Sequence, residues 1–346
     1  MVKKYKGLWK QVIDENNIAD AYRKSILGKS GYSSVARFEQ NKEANLKNIR
    51  EMLINQTYKT SPYNQRTIYE PKERIIYVLS LNPDRVVHHA LMNVLIPIFT
   101  KMFIKNTFAC IKDRGLHKGS ILTSKFVKKY KYCLKCDIRK FYPSINHDIL
   151  YQMCERKFKE KEILWLLHEI IYSIEGETNV PIGNLPSQWF GNFYMTPLDR
   201  YITEELHITA YLRYCDDFCL FSDDKAELNR AKKLIEEFLR NKLKLKMSKC
   251  DLFKTSQGVD FLGYRHFDGY KLLRRSTAKR VKKRLPAILK KFKEGKISQD
   301  KFRSCIESTY GWVKWANTYN FQLKLKLSEM RELAYIKENK TDDIKH

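Results

Sequence analysis

The segment Ala210-Tyr211-Leu212-Arg213-Tyr214-Cys215-Asp216-Asp217-Phe218-Cys219-Leu220-Phe221-Ser222 sets two adjacent carboxylates between apolar and aromatic runs, with Asp223-Asp224 just beyond. Short apolar runs on either side of a polar pair read as a strand, a tight turn carrying Asp216 and Asp217, and a returning strand. Carboxylates in such a setting lose hydration and repel each other, so they require a cation or a shifted protonation state. A hard divalent cation such as Mg2+, bound through oxygens, meets that requirement. An exposed acidic turn would carry the same residues, and the rest of the chain has to separate the two readings.

A further acid lies upstream in an equally apolar strand, Tyr132-Cys133-Leu134-Lys135-Cys136-Asp137-Ile138, which runs into Arg139-Lys140-Phe141-Tyr142-Pro143-Ser144-Ile145. Carboxylates on neighbouring strands can bridge two metal ions about 3.5–4 Å apart, one activating an attacking hydroxyl and one holding the leaving oxygen. Asp137, Asp216 and Asp217 would supply that set. With an aspartate strand followed by Phe141-Tyr142, and then a Tyr-x-Asp-Asp hairpin, the chain resembles a reverse transcriptase. Neither motif is specific alone; their order and flanks together are.

The 346 residues are 43% hydrophobic, enough for a folded core, and carry a formal charge of +27. That excess points to a polyanionic partner. A membrane is the competing polyanion, but no apolar run approaches the ~18 residues of a spanning helix, and Met1-Val2-Lys3-Lys4-Tyr5-Lys6 is not followed by the apolar stretch of a signal peptide. A soluble, cytoplasmic protein without a membrane partner is therefore expected. The eight cysteines are dispersed. Cys133 and Cys136 have metal-ligand spacing but no second pair, and within a strand they face opposite ways, so they read as ordinary buried thiols of a reducing compartment.

Residues 8–58 read as helical, with Leu46, Ile49, Met52 and Leu53 at helical spacing. Thr67 to Leu81 has strand texture. Asn82-Pro83-Asp84 then suits the start of an apolar helix from Arg85 to about Thr100. Residues 147–174 and 223–243 read as amphipathic helices, and Val259 to Arg265 as a short strand pair. From Lys271 to His346 the pattern is helical, with 21 basic and 8 acidic residues, a net of +13, and Tyr310, Trp312, Trp315 and Tyr319 among them. Basic residues interleaved with aromatics suit a nucleic-acid contact better than a merely solvated face.

The resemblance narrows further along the chain. After the first aspartate motif most bacterial reverse transcriptases read Pro-Gln-Gly followed by Ser-Pro; here the segment is Pro181-Ile182-Gly183-Asn184-Leu185-Pro186-Ser187-Gln188. That form resembles the reverse transcriptases of diversity-generating retroelements, as do Tyr310-Gly311-Trp312-Val313-Lys314-Trp315-Ala316-Asn317-Thr318-Tyr319-Asn320 and the stretch Asn106 to Gly119. No maturase or endonuclease extension of a group II intron protein is recognisable. The resemblance implies an α+β right-hand polymerase: an N-terminal helical region and fingers (1–130), an RRM-like palm of antiparallel sheet and helices with an interleaved fingers segment (131–270), and a basic helical thumb (271–346). It implies a bacterial or phage-encoded enzyme that copies template RNA into cDNA from a DNA or RNA primer and dNTPs. Two Mg2+ ions would serve it, with Mn2+ able to substitute, and an accessory variability protein would be its partner.

Site roles follow from the same resemblance. Asp137 and Asp216 would bind metal, Asp217 would bind or support it, and the Ile138 carbonyl would offer a further oxygen. Tyr142 matches the ring that excludes a ribose 2′-hydroxyl. Lys72 and Arg74, with Lys112 or Arg114, offer cations for the triphosphate; Ile111 stands where many relatives have arginine, which leaves the γ-phosphate ligand open among them. Lys249 matches a residue proposed to protonate pyrophosphate, and Phe261-Leu262-Gly263-Tyr264 matches the primer-grip turn. Ile182, Gly183, Ser187 and Gln188 would border the nascent pair. An amide reads a base or sugar by hydrogen bonds, whereas Ile182 can only pack, which discriminates by about 1–3 kcal/mol per methylene. A looser pocket accords with the adenine-directed misincorporation that the resemblance implies; the competing reading makes Ile182 a core residue. Alternatives are a retron or abortive-infection type enzyme, a silent RNA-binding protein on a polymerase scaffold, and a template-free nucleotidyltransferase.

Overall fold

A computed structural model describes residues 4–69 and 73–336. They divide into two compact units, the first formed by Met1–Gly115, Leu134–Leu220 and Lys225–Leu252, the second by Leu116–Cys133, Phe221–Asp224 and Phe253–His346. Each interleaves segments distant in sequence. No helix among the described residues is long and apolar enough to cross a membrane.

The first unit is built around the apolar helix Val86–Met102, which packs against the helices Glu15–Ser25 and Leu185–Tyr194. Val86, Val87, Ala90, Leu91, Met92 and Leu95 are all fully buried, because apolar residues surround this helix rather than forming one stripe. Its C-terminal end meets an aromatic cluster in which the Phe99 ring lies 5.0 Å from Phe193 and 6.1 Å from Phe158. Two strands, β1 (Asn64–Ile68) and β2 (Arg74–Val78), form an antiparallel hairpin with Arg66 opposite Ile76. The central sheet contains β3 (Tyr132–Ile138), β4 (Tyr211–Tyr214), β5 (Asp217–Ser222) and β6 (Met247–Lys254) in the order β4-β5-β3-β6. This order brings the strand of Asp137 next to the strand that begins at Asp217. Cys133 and Cys136 are both fully buried, as opposite-facing residues are in a strand covered on both sides. The stretch expected as one amphipathic helix over 147–174 is two, His147–Glu155 and Lys161–Ile171, with Phe158 buried at the break.

The second unit holds an antiparallel sheet of β7 (Val259–Phe261), β8 (Tyr264–His266) and β9 (Lys271–Leu273) beneath basic helices. Leu262 and Gly263 join β7 to β8 with φ of 54° and 82°, the pair of positive φ values that a type I′ turn needs. Lys271–Leu273 is a strand, where a helical pattern was expected, because it pairs with Tyr264–His266 across the hairpin. The helix Arg275–Lys293 directs Thr277, Val281, Leu285, Ile288 and Phe292 inward, with Lys279, Arg280, Lys283, Lys290 and Lys291 exposed. Its apolar stripe joins Phe302, Ile306 and Val313 of the helix Gln299–Val313 in one core.

Gly263 packs closely against this core. A Cβ there would lie 2.6 Å from the Trp312 ring at a φ that side chains rarely adopt. Gly263→Ala is expected to destabilise the second unit by about 2 kcal/mol or more, the backbone strain and the clash acting together. Urea denaturation followed by tryptophan fluorescence checks this. Adding Trp312→Leu should relieve part of the Gly263→Ala penalty, and purely additive losses would show that the ring contact is not its source.

Candidate active site

The β4–β5 hairpin closes over a two-residue turn, with Tyr214 paired to Asp217. Cys215 and Asp216 are therefore the turn residues, and Asp217 is the first residue of the returning strand rather than part of the turn. Cys215 takes a φ of 60°, the positive value that primed hairpin turns require at their first central position and that a non-glycine residue adopts at a cost of about 1–2 kcal/mol. The Tyr142 hydroxyl lies 3.3 Å from the Cys215 thiol.

Beneath the turn lies a buried charge network. Arg213 and Asp199 are both fully buried; the guanidinium donates from Nε to Asp199 Oδ1 at 2.7 Å and from Nη2 to Oδ2 at 2.6 Å. Nη1 donates to the Cys215 carbonyl at 2.9 Å and to Asn192 Oδ1 at 3.1 Å. Asp199 Oδ1 also accepts from the Tyr211 hydroxyl at 2.7 Å, and Asn192 Nδ2 donates to the Ala109 carbonyl at 2.8 Å. Burial alone would lower the Arg213 pKa, but the Asp199 carboxylate outweighs it and raises it. The Arg213 charge thus holds the backbone of the very turn that presents Asp216. Sequence reading passed over this pair, although an arginine between Leu212 and Tyr214 in an apolar strand already demanded a buried acid.

Asp137 is partly exposed near the end of β3, and its Oδ2 accepts a hydrogen bond from Ser248 Oγ, which also reaches the Asp137 carbonyl at 3.2 Å. Burial pushes the Asp216 carboxyl above its ordinary value; the Asp137 carboxylate pushes it further, and Arg74 opposes that rise. The two acids and Arg74 therefore share one electrostatic environment. Asp217 Oδ1 lies 3.7 Å from Lys135 Nζ. Among the described residues, no three His, Cys, Asp or Glu side chains converge as a metal cage.

The remaining sequence-derived residues fare differently. Lys72 lies outside the described residues. Lys112 is exposed, while Arg114 is half-buried and donates from Nη1 to the carbonyls of Ile104 at 2.6 Å and Thr107 at 3.1 Å. Lys249 is exposed on β6 next to Ser248, and because side chains alternate along a strand, the serine is the one turned to Asp137. Ile138 is buried in β3. The Ile182 carbonyl accepts from the Tyr77 amide at 2.7 Å, and the Ile182 side chain is half-buried, neither full core nor free surface. Gly183 lies so close to β2 that a Cβ would sit 2.5 Å from the Tyr77 carbonyl oxygen. Ser187 Oγ donates to the Pro181 carbonyl at 2.6 Å, and Gln188 is exposed on the helix Leu185–Tyr194. From the same helix Gly191 admits the Phe141 and Tyr142 rings, either of which a Cβ would meet at 3.1 Å.

Residues 58–266 match the family described as reverse transcriptase (RNA-dependent DNA polymerase). The chain belongs to that family. The match spans more than half of the sequence and contains Asp137, Asp216, Asp217, Ile182 and Lys249. No curated protein matches the chain. Among solved structures it is similar to an apo telomerase from Candida tropicalis, at 12% identity and a TM-score of 0.47, over 60% of this chain and 47% of that one. A likeness of that size carries no argument about activity. In reverse transcriptase terms, the aspartate strand and the Asp-Asp hairpin sit on adjacent strands of one sheet.

The Arg213–Asp199 pair should be costly to break on one side only. Asp199→Asn or Arg213→Met is expected to destabilise the first unit by about 3–5 kcal/mol, since each leaves a buried charge without its counter-charge. The double variant Arg213→Met/Asp199→Asn should lose less than the sum. Urea denaturation of the four proteins supplies the cycle, and strict additivity would show that the two charges do not stabilise each other.

Proposed function

We propose that the protein is an RNA-directed DNA polymerase that copies an RNA template into cDNA by two-metal nucleotidyl transfer, in the setting of a diversity-generating retroelement. The observation that carries the polymerase reading is that Asp137, near the end of β3, raises the cost of charging Asp216, in the turn that opens the adjacent β5, inside a reverse transcriptase family match. A divalent cation relieves that repulsion, and the donors are hard oxygens. Mg2+ is commonly held by one or two carboxylates plus substrate phosphates rather than by an all-protein cage.

Asp137 and Asp216 would hold the ions, with Asp217 and the Ile138 carbonyl in support; Mn2+ could replace Mg2+. When bound, the metals supply charge stabilisation and an activated 3′-hydroxyl. Ser248 holds the Asp137 carboxylate in one orientation, and Arg213 fixes the turn that carries Asp216. Tyr142, its hydroxyl against Cys215 and its ring against Gly191, forms a rigid wall for selecting deoxyribose. Arg74 offers charge to the triphosphate, with Lys72 and Lys112 as further cations in the same role; Arg114, engaged by two carbonyls, serves as a brace in this reading. Lys249 remains the proposed proton donor to pyrophosphate. The fingers (1–130), palm (131–270) and thumb (271–346) division assigns the exposed cations of Arg275–Lys293 to the template–primer duplex. A variability protein would be the accessory partner, and the cytoplasm the compartment.

Asp216→Asn should keep the fold and abolish primer extension on an RNA template with dNTPs and Mg2+, because a carboxamide cannot supply the anionic charge. Extension at the wild-type rate would rule out the assignment of Asp216. The retroelement reading rests on Ile182, which offers the nascent pair carbon in place of an amide. Sequenced cDNA from the wild type should show errors concentrated opposite template adenines, and Ile182→Gln should reduce them by about tenfold if a polar contact is restored. Uniformly low error at all four template bases would defeat the retroelement reading and leave reverse transcription intact.

A further inference from the structure

A cavity of about 200 Å³ lies in the first unit where the N-terminus of the helix Leu185–Tyr194 meets the start of the helix Val86–Met102. Two of its lining side chains are buried polar groups without partners. His88 is 1% exposed and its Nε2 makes no hydrogen bond; Asn184 is 6% exposed and its Nδ2 makes none. Asn184 occupies the N-cap position of its helix yet its side chain does not cap it. The Tyr63 hydroxyl, 2.8 Å from Ser173 Oγ, lies close enough to Asn184 for the amide to oppose the rise that burial gives its pKa, so His88 Nε2 is the stricter orphan of the two. A buried amide donor with no acceptor costs about 1–3 kcal/mol. The cavity therefore asks for an acceptor.

Its charge asks for an anion. Lys29 and Arg85 also line the space, and no carboxylate does. Arg85 is held in place by donating from Nη2 to the Ser25 carbonyl at 2.5 Å. The nearby Asp84 carboxylate accepts from the Tyr58 hydroxyl, the Ser61 amide and the Ser80 hydroxyl, neutral donors that leave its charge to act on His88 and offset part of the cationic excess. The free amides at a helix N-terminus add partial positive charge on the same side. Water could satisfy the two orphaned nitrogens but would bring no negative charge to Lys29 and Arg85.

We propose that this cavity is an oxyanion site that takes one phosphate-type group, gripped by Lys29, Arg85, Asn184 Nδ2 and His88 Nε2 in its N–H tautomer. The group is either a free phosphate or a phosphodiester of a bound RNA strand. The proposal stands on the cavity alone and survives the failure of the polymerase reading.

The test uses the full chain and the variants Lys29→Gln and Asn184→Leu. Lys29 is half-exposed, so its substitution does not threaten folding. Melting temperature is followed against inorganic phosphate, with sodium chloride at matched ionic strength as control, and the affinity for a 12-nucleotide RNA is measured in parallel. A phosphate-specific stabilisation that Lys29→Gln abolishes supports the free-anion source. RNA binding weakened by about tenfold in each variant, without a phosphate effect, supports the phosphodiester source. Asn184→Leu should in addition melt higher than wild type without any anion, since it removes an unsatisfied amide. No phosphate effect together with unchanged RNA affinity in both variants overturns the proposal and leaves a water-filled cavity.

Discussion

The first unit turns on one buried ion pair. Arg213 distributes its donors over Asp199, Asn192 and the Cys215 carbonyl, and so ties β4, the helix Leu185–Tyr194 and the Asp216 turn to one charge. Asp199 in turn takes the Tyr211 hydroxyl, and Asn192 takes the Ala109 carbonyl, which brings the upstream segment into the same network. Such a pair adds little net stability over a well-packed apolar substitute. Its value here is positional. A buried guanidinium accepts few alternative arrangements, because any other placement leaves charge unpaired in a dry interior. The hairpin turn, strained at Cys215, is held in a geometry that a looser contact would let relax.

Close backbone approaches do for the rings what the ion pair does for the turn. At Gly191 the missing Cβ makes room for Phe141 and Tyr142, and at Gly263 for Trp312. Gly183 lets the Pro181–Gly183 turn lie against β2, where the Ile182 carbonyl meets the Tyr77 amide. The residue proposed to border the nascent pair is thus positioned through its main chain, which leaves the Ile182 side chain free to be chosen for function. The same economy places Tyr142: its orientation follows from neighbours that touch it, a thiol on one side and a glycine on the other.

Charge in this protein is arranged at two scales. Locally, Asp137 and Asp216 repel each other, and Ser248, Arg74 and the proposed cation offset that repulsion. Over the whole chain, the excess of +27 is carried largely by exposed side chains such as those on Arg275–Lys293. The first scale selects chemistry and the second selects a polyanionic partner; neither substitutes for the other.

How much of this was legible in the sequence can be read residue by residue. Asp137, Asp216 and their strands were accessible because period-two apolar runs and a polar break are local properties of the chain. So were the helix after Asn82-Pro83-Asp84, the β7–β8 hairpin and the basic amphipathic face of Arg275–Lys293. Ser248, Arg213, Asp199 and Gly191 were not, since each acts through a partner distant in sequence, and pattern alone does not say which partner it meets. The break at Phe158 and the strand at Lys271–Leu273 escaped for the same reason, one set by burial and the other by pairing with β8. Strand adjacency decided that Ser248, not Lys249, faces Asp137. By itself the sequence determined the chemistry on offer, because side-chain type and spacing are written along the chain; tertiary structure decided which groups meet, because contact depends on how distant segments pack.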